Sequence, residues 1–217
     1  MTRLVLVRHG QGICNVERTI EGVATCRGLS ALGLKQAVAV AARLAHDRLT
    51  IDHAITSPIR RARETADQIA KALDLTLYED PQFEEIRPGD AEGLTWDQYS
   101  AFYGTTEGWN ATVPFAPNAE AWTDFAARVA AGLDQISDEH RDKTVLIVAH
   151  GGVVDASLFH YFGLDPTVQS PIDFESSNTG ITEWERRTFT LLDTSEVHRW
   201  RLARYNDASH LSSVPAP

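Results

Sequence analysis

Apolar positions along the chain follow two alternating periods. Arg3 to Val7 is almost wholly apolar and rich in branched side chains, the pattern of a strand covered on both faces. From Ser30, a favourable N-cap, Leu34, Ala37, Val38, Ala41 and Leu44 recur at helical spacing to about His46. Ile51 to Thr56 reads as a second strand. Ser57 then reads as a cap with Pro58 at the first helical position, ahead of the stripe Ile59, Ala62, Ala66, Ile69, Ala70 and Leu73. A third strand is expected around Leu75 to Tyr78, a helix over Glu120 to Ile136, and the most strand-like run of all at Thr144 to Ala149. That run passes through His150-Gly151-Gly152 into an apolar helix of Val153, Val154, Ala156, Leu158 and Phe159. After Asn178, Gly180 to Trp184, Thr188 to Leu192 and His198 to Ala203 alternate as strands near a sheet edge do. With no repeat and no linker, the βαβ order predicts a single α/β domain over residues 1–211 around a mostly parallel sheet, and Ser212 to Pro217 reads as a disordered tail.

One stretch breaks the pattern. Leu94 to Ala127 contains no Lys or Arg but holds Trp96, Tyr99, Phe102, Tyr103, Trp109, Phe115, Trp122 and Phe125. Its first part, about 94–119, is expected to be an irregular insertion or lid. Composition changes the picture only by exclusion. At 217 residues, 43% hydrophobic and 23% charged, the chain can bury a substantial core and is not disordered at large. A net charge of -10 disfavours nucleic acid and anionic membrane as partners, without excluding a small basic pocket. The first apolar run is too short for a signal-peptide core or a span, so the expected setting is cytoplasmic. Cys14 and Cys26 fit neither a disulfide framework nor a common zinc spacing and read as free thiols.

In open α/β sheets ligands bind beyond the carboxyl ends of the strands. This chain puts Arg8-His9-Gly10 after the first strand, Ser57-Pro58-Ile59-Arg60-Arg61 after the second and His150-Gly151-Gly152 after the last core strand, with Glu84-Glu85 between them. Two arginines can neutralise a phosphoryl group, one histidine can attack it, and a carboxylic acid can protonate the departing oxygen. Taken singly, each of these residues reads equally as a structural hydrogen-bonder or a surface charge. Only their shared rim points to phosphoryl transfer through a phosphohistidine, with no metal and no cofactor required. His46, His53, His140, His160, His198 and His210 have no such placement and read as structural or exposed.

Four ordered motifs then carry a resemblance. Leu4 to Gln11 with Asn15, Arg18, Gly22 and Leu29 to Gly33, Ser57 to Ala66, Phe83 to Gly93, and Val145 to Gly152 together resemble the histidine phosphatase superfamily, also called phosphoglycerate mutase-like. The resemblance implies a three-layer α/β/α sandwich. It also implies His9 as the phosphorylated nucleophile, Glu85 as acid and base, His150 as second catalytic histidine, and a phosphate pocket of Arg8, Asn15, Arg61, His150 and the Gly151 amide. Arg61 rather than Arg60 takes the phosphate-binding register. Gln11, Gly12, Arg18 and Gly22 become candidate substrate contacts. Gly12 stands where Thr or Ser is usual, Cys26 for a common Asp, Ala91 for a common Trp, and Asn118-Ala119-Glu120 for Gly-Glu-Ser; these departures bear on specificity. The long basic insertion of the mutases is missing here, which favours a phosphomonoesterase acting on a small phosphorylated metabolite over a phosphoglycerate mutase or a phosphate-binding module without catalysis. The aromatic stretch suits a sugar, ring or apolar alcohol, or is ordinary packing. Relatives are often homodimers, so a homodimer is the expected assembly.

Overall fold

Strand β1 (Thr2–Arg8) is the middle of the argument, because its side chains alternate between two cores. In this computed structural model, which describes residues 1–104, 110–168, 174–190 and 196–214, a six-stranded sheet runs in the order β3-β2-β4-β1-β5-β6. Its strands are β1, β2 (His53–Thr56), β3 (Leu77–Glu79), β4 (Thr144–Ala149), β5 (Ile181–Thr190) and β6 (Glu196–Asp207), and the first helix, the short α1 (Ile13–Glu17), follows β1. The first four are mutually parallel, and β5 and β6 join antiparallel beyond β1. Leu4 and Leu6, with Val145 and Ile147, face α5 (Trp122–Glu139) and α6 (Gly151–Phe162) through Phe125, Val129, Leu133, Val153 and Leu158. Val5 and Val7, with Leu146 and Val148, face α2 (Ala31–His46) and α3 (Arg60–Leu73) through Val40, Leu44, Ala66 and Ile69. Helices therefore cover both faces, and the three-layer α/β/α sandwich is what the residue pattern builds. Among the described residues no helix is long and apolar enough to cross a membrane.

Four local expectations are corrected. Helix α3 starts at Arg60 behind an extended N-cap, Ile59, rather than at Pro58. Ser57 does not cap the helix: it lies two residues ahead of the N-cap, where its Oγ accepts from the Ile59 amide and also meets a buried histidine described below. Within 94–119 the chain is not wholly irregular: α4 (Trp96–Tyr103) forms on a capping box in which Thr95 and Gln98 satisfy each other's backbone amides. The two expected segments Gly180 to Trp184 and Thr188 to Leu192 are one strand as far as Thr190, and Leu191 and Leu192 lie outside the described residues. The charged triplet Glu185-Arg186-Arg187 imitates a break, but Glu185 is buried on the sheet by ion pairs to Arg3 at 2.9 Å and Arg187 at 2.5 Å. Lastly, the expected disordered tail at 212–217 is shorter, since Ser212 and Ser213 complete a short 3-10 turn with its backbone bonded at Leu211; Pro215 to Pro217 lie outside the described residues.

Candidate active site

The registers Arg8↔Ala149 and Thr56↔Val148 bring the carboxyl ends of β1, β2 and β4 side by side. The turn after β1 is held from four directions. The His9 amide donates to Ala149 O at 2.9 Å, the Gly10 amide to Thr65 Oγ1 at 3.0 Å, the Gln11 amide to Gln36 Oε1 at 2.8 Å, and Asn178 Nδ2 donates to His9 O at 3.1 Å. Gly10 permits the close packing of α2, since a Cβ there would lie 2.5 Å from Gly33 O.

His9 is buried and its protonation can be read from its neighbours. Nδ1 lies 2.6 Å from Gly10 O, which only accepts, and Nε2 lies 3.1 Å from Arg61 Nε, which only donates. The ring is therefore neutral, with its proton on Nδ1 and the Nε2 lone pair accepting from Arg61 Nε, and His9 and Arg61 both line the cavity described below. Burial foremost, then the charges of Arg61 and Arg8, hold His9 well below the ordinary histidine value. His150, wholly buried, sits with its ring centroid 5.2 Å from that of His9. Burial and the same arginines keep it neutral too. Its Nε2 is 2.8 Å from Ser57 Oγ, whereas Nδ1 has no partner. Arg8 donates through Nη1 to Ser176 O, but its Nε is likewise buried and unpartnered. An orphaned buried polar group costs roughly 1–3 kcal/mol, so each of these two nitrogens would be stabilised by a further acceptor.

That cavity is about 520 Å³ and is lined on its polar side by Arg8, His9, Asn15, Arg18, Glu21, Arg61 and Glu85, and on the other by Ile20, Ile86, Pro88, Trp96 and Phe115. Glu85 rests on the first turn of α6, accepting from Gly152 N at 3.2 Å and Ile86 N at 3.0 Å. A Cβ at position 152 would fall 2.2 Å from Glu85 Oε1, so any side chain there would push the carboxylate aside. The segment carrying Glu85 is clamped by Arg128 of α5, whose guanidinium donates to the carbonyls of Pro81, Gln82 and Glu84 at 2.8–3.2 Å and pairs with Glu120 at 2.7 Å.

The expected site residues fall into three places. Arg8, His9, Asn15, Arg18, Arg61 and Glu85 share the cavity wall. His150 and Gly151 sit behind it: a Cβ on Gly151 would lie 3.6 Å from Arg8 Nε. Gln11, Gly12 and Gly22 are not among its lining. Gln11 Oε1 accepts from Ser30 Oγ, the Gly12 amide donates to Asn15 Oδ1, and Gly22 backs onto the Glu92 carboxylate. Of the aromatic stretch, Trp96 and Phe115 reach the cavity, Tyr99 is core, Phe102 is largely exposed, and Trp109 lies outside the described residues. Glu21, Arg128 and Asn178 lie outside the residues that the sequence singles out, and Ser57 and Thr65 sit in the second motif without an expected site role, because each reaches the site by a contact distant in sequence or by its loop's own fold. Both cysteines are free thiols, and Cys26 Sγ stands 3.6 Å from Arg61 Nη1.

Comparison with known proteins now decides the family. The profile of the histidine phosphatase superfamily (branch 1) matches residues 4–202. The chain belongs to this superfamily. Among its relatives, the uncharacterized phosphatase PhoE of Bacillus subtilis is 31% identical over 98% of both chains. The metal-independent phosphoserine phosphatase of Arabidopsis thaliana is 30% identical over 99% of this chain and 85% of that one. A solved structure, YhfR of Bacillus stearothermophilus, superimposes with a TM-score of 0.82 at 28% identity, over 97% of this chain and 100% of the other. The histidine phosphatase fold expected from the sequence is the one that the packing builds and that the solved relative shares.

Proposed function

We propose that this histidine phosphatase hydrolyses a small phosphate monoester in two in-line steps. The observation that carries the reading is the neutral His9, whose Nε2 lone pair accepts from Arg61 Nε in the wall of a cavity flanked also by Arg8 and two orphaned buried nitrogens. A phosphoryl group entering there draws the Arg61 Nε–H away from Nε2 and onto its own oxygens, which frees the lone pair. Nε2 then attacks phosphorus while the bond to the ester oxygen breaks, and Glu85 gives a proton to that oxygen so that a neutral alcohol leaves. In the second step Glu85 takes a proton from water, the water oxygen attacks phosphorus, and the P–N bond breaks to return His9 and release phosphate. Arg8, Arg61 and His150 stay with the three non-bridging oxygens throughout, where charge changes most.

The alcohol side is read from what is left of the wall. Arg18 lines the cavity, and its guanidinium has no ion-pair or hydrogen-bond partner among the described residues, while Glu21 beside it is occupied by Arg27 at 2.9 Å. Phosphoserine, the substrate in the name of the Arabidopsis relative, carries a carboxylate that such an arginine takes, so the substrate class proposed is a phosphate monoester with a carboxylate near the ester carbon. Purified protein in EDTA should hydrolyse p-nitrophenyl phosphate, and His9→Ala should lower turnover by ~10³-fold or more, as removal of a covalent nucleophile does. Activity within a few-fold of wild type in that variant would overturn the reading.

A further inference from the structure

Ser57 is wholly buried, and so is the histidine it meets. Its Oγ accepts from the Ile59 amide at 3.2 Å and stands 2.8 Å from His150 Nε2. Among the described residues no other acceptor is recorded for the Ser57 hydroxyl. Its proton therefore has one destination, the Nε2 lone pair. A neutral imidazole carries one N–H, so an Nε2 that accepts leaves that proton on Nδ1, the nitrogen with no partner among the described residues. In the opposite arrangement the hydroxyl proton is stranded in the core, and a phosphoryl oxygen in the cavity meets a lone pair on Nδ1 instead of a donor.

We infer that Ser57 is a positioning residue: through its hydrogen bond to Nε2 it fixes neutral His150 as an Nδ1–H donor toward the phosphoryl site, whose use rests on the phosphatase reading above. Donating to Nε2 is compatible with the bond that Oγ accepts from the Ile59 amide, so one hydroxyl serves both the loop before α3 and the loop after β4. His150 then assists phosphate without being charged, and the cationic work is left to Arg8 and Arg61.

The test reads the tautomer directly and needs no turnover. In protein labelled with ¹⁵N-histidine, with the His150 signals assigned by their loss in His150→Gln, long-range proton–nitrogen correlation at pH 7.5 should show Nδ1 protonated and Nε2 in the pyridine-like range. Ser57→Ala should give mixed tautomers and weaken orthophosphate binding, measured by titration calorimetry, roughly tenfold. Ser57→Thr, which keeps the hydroxyl, should restore both; a protein that merely needs bulk at this position would be restored in affinity by Ser57→Cys as well, with the tautomer still mixed. A wild-type His150 protonated on Nε2, or Ser57→Ala with tautomer and phosphate affinity unchanged, overturns the inference. Nδ1–H in a wild-type protein that binds no orthophosphate would uphold the Ser57 bond and overturn the phosphatase reading beneath it.

Discussion

At the scale of single residues, the account turns on histidines kept neutral by burial and by neighbouring arginines. The unfolded chain protonates its histidines near the ordinary value of about 6.5, whereas folded His9 and His150 take up protons only at lower pH. The stability tied to these rings is therefore fully present above about pH 6.5 and is lost as pH falls below it. The thermal midpoint of wild-type protein should drop between pH 7 and pH 5 more steeply than that of His150→Gln, whose side chain does not titrate; parallel curves would contradict the assignment. How far such residues were legible depended on whether their chemistry lay in a local motif. Arg8, His9, Arg61, Glu85 and His150 each sit in a contiguous signature. Asn178, bound to His9 169 positions away, has no local signal, and Thr65, though inside the second motif, shows nothing there of its bond to the Gly10 amide 55 positions away, because only the folded sheet brings the two to the turn after β1.

At the scale of elements, α6 joins the two halves of the chemistry. Its first turn is where the Gly152 amide meets Glu85, and its N-cap is His150 itself. Gly152→Ala would drive a methyl group into the Glu85 carboxylate, while the helix gains a better helix former. It should therefore act as a partial Glu85→Gln: both variants should lower kcat/KM for an alkyl phosphate by at least tenfold more than for p-nitrophenyl phosphate, whose leaving group departs without a proton. Equal losses on the two substrates, measured side by side, would mean that Glu85 does not supply that proton. Elements were legible where period and burial agreed, as in β1, β4, α2 and α5. They were misread where charge was buried in pairs, as along β5, or where a capping box rather than an apolar stripe starts the helix, as in α4, which buries only Tyr99.

At the scale of the whole molecule, a chain with net charge -10 concentrates Arg8, Arg61 and Arg18 around one cavity, while the sequence stretch 94–127, which gives that cavity Trp96 and Phe115, carries no basic residue at all. That distribution suits a substrate with one phosphate and one further anionic group better than one with two phosphates. Replacing Arg18 with Gln should lower kcat/KM for phosphoserine roughly tenfold while leaving phosphoethanolamine, which lacks the carboxylate, within about twofold. An equal effect on both would place Arg18 outside recognition of the alcohol. The central claim remains covalent: the phosphoryl group passes through His9 Nε2. Rapid quenching of wild-type enzyme with a ³²P-labelled monoester, followed by peptide mapping, tests it most directly. The account predicts an acid-labile, base-stable phosphoryl group on the peptide containing His9, absent from His9→Ala, and it is contradicted by turnover with label on any other residue, or with His9→Ala turning over as fast as wild type.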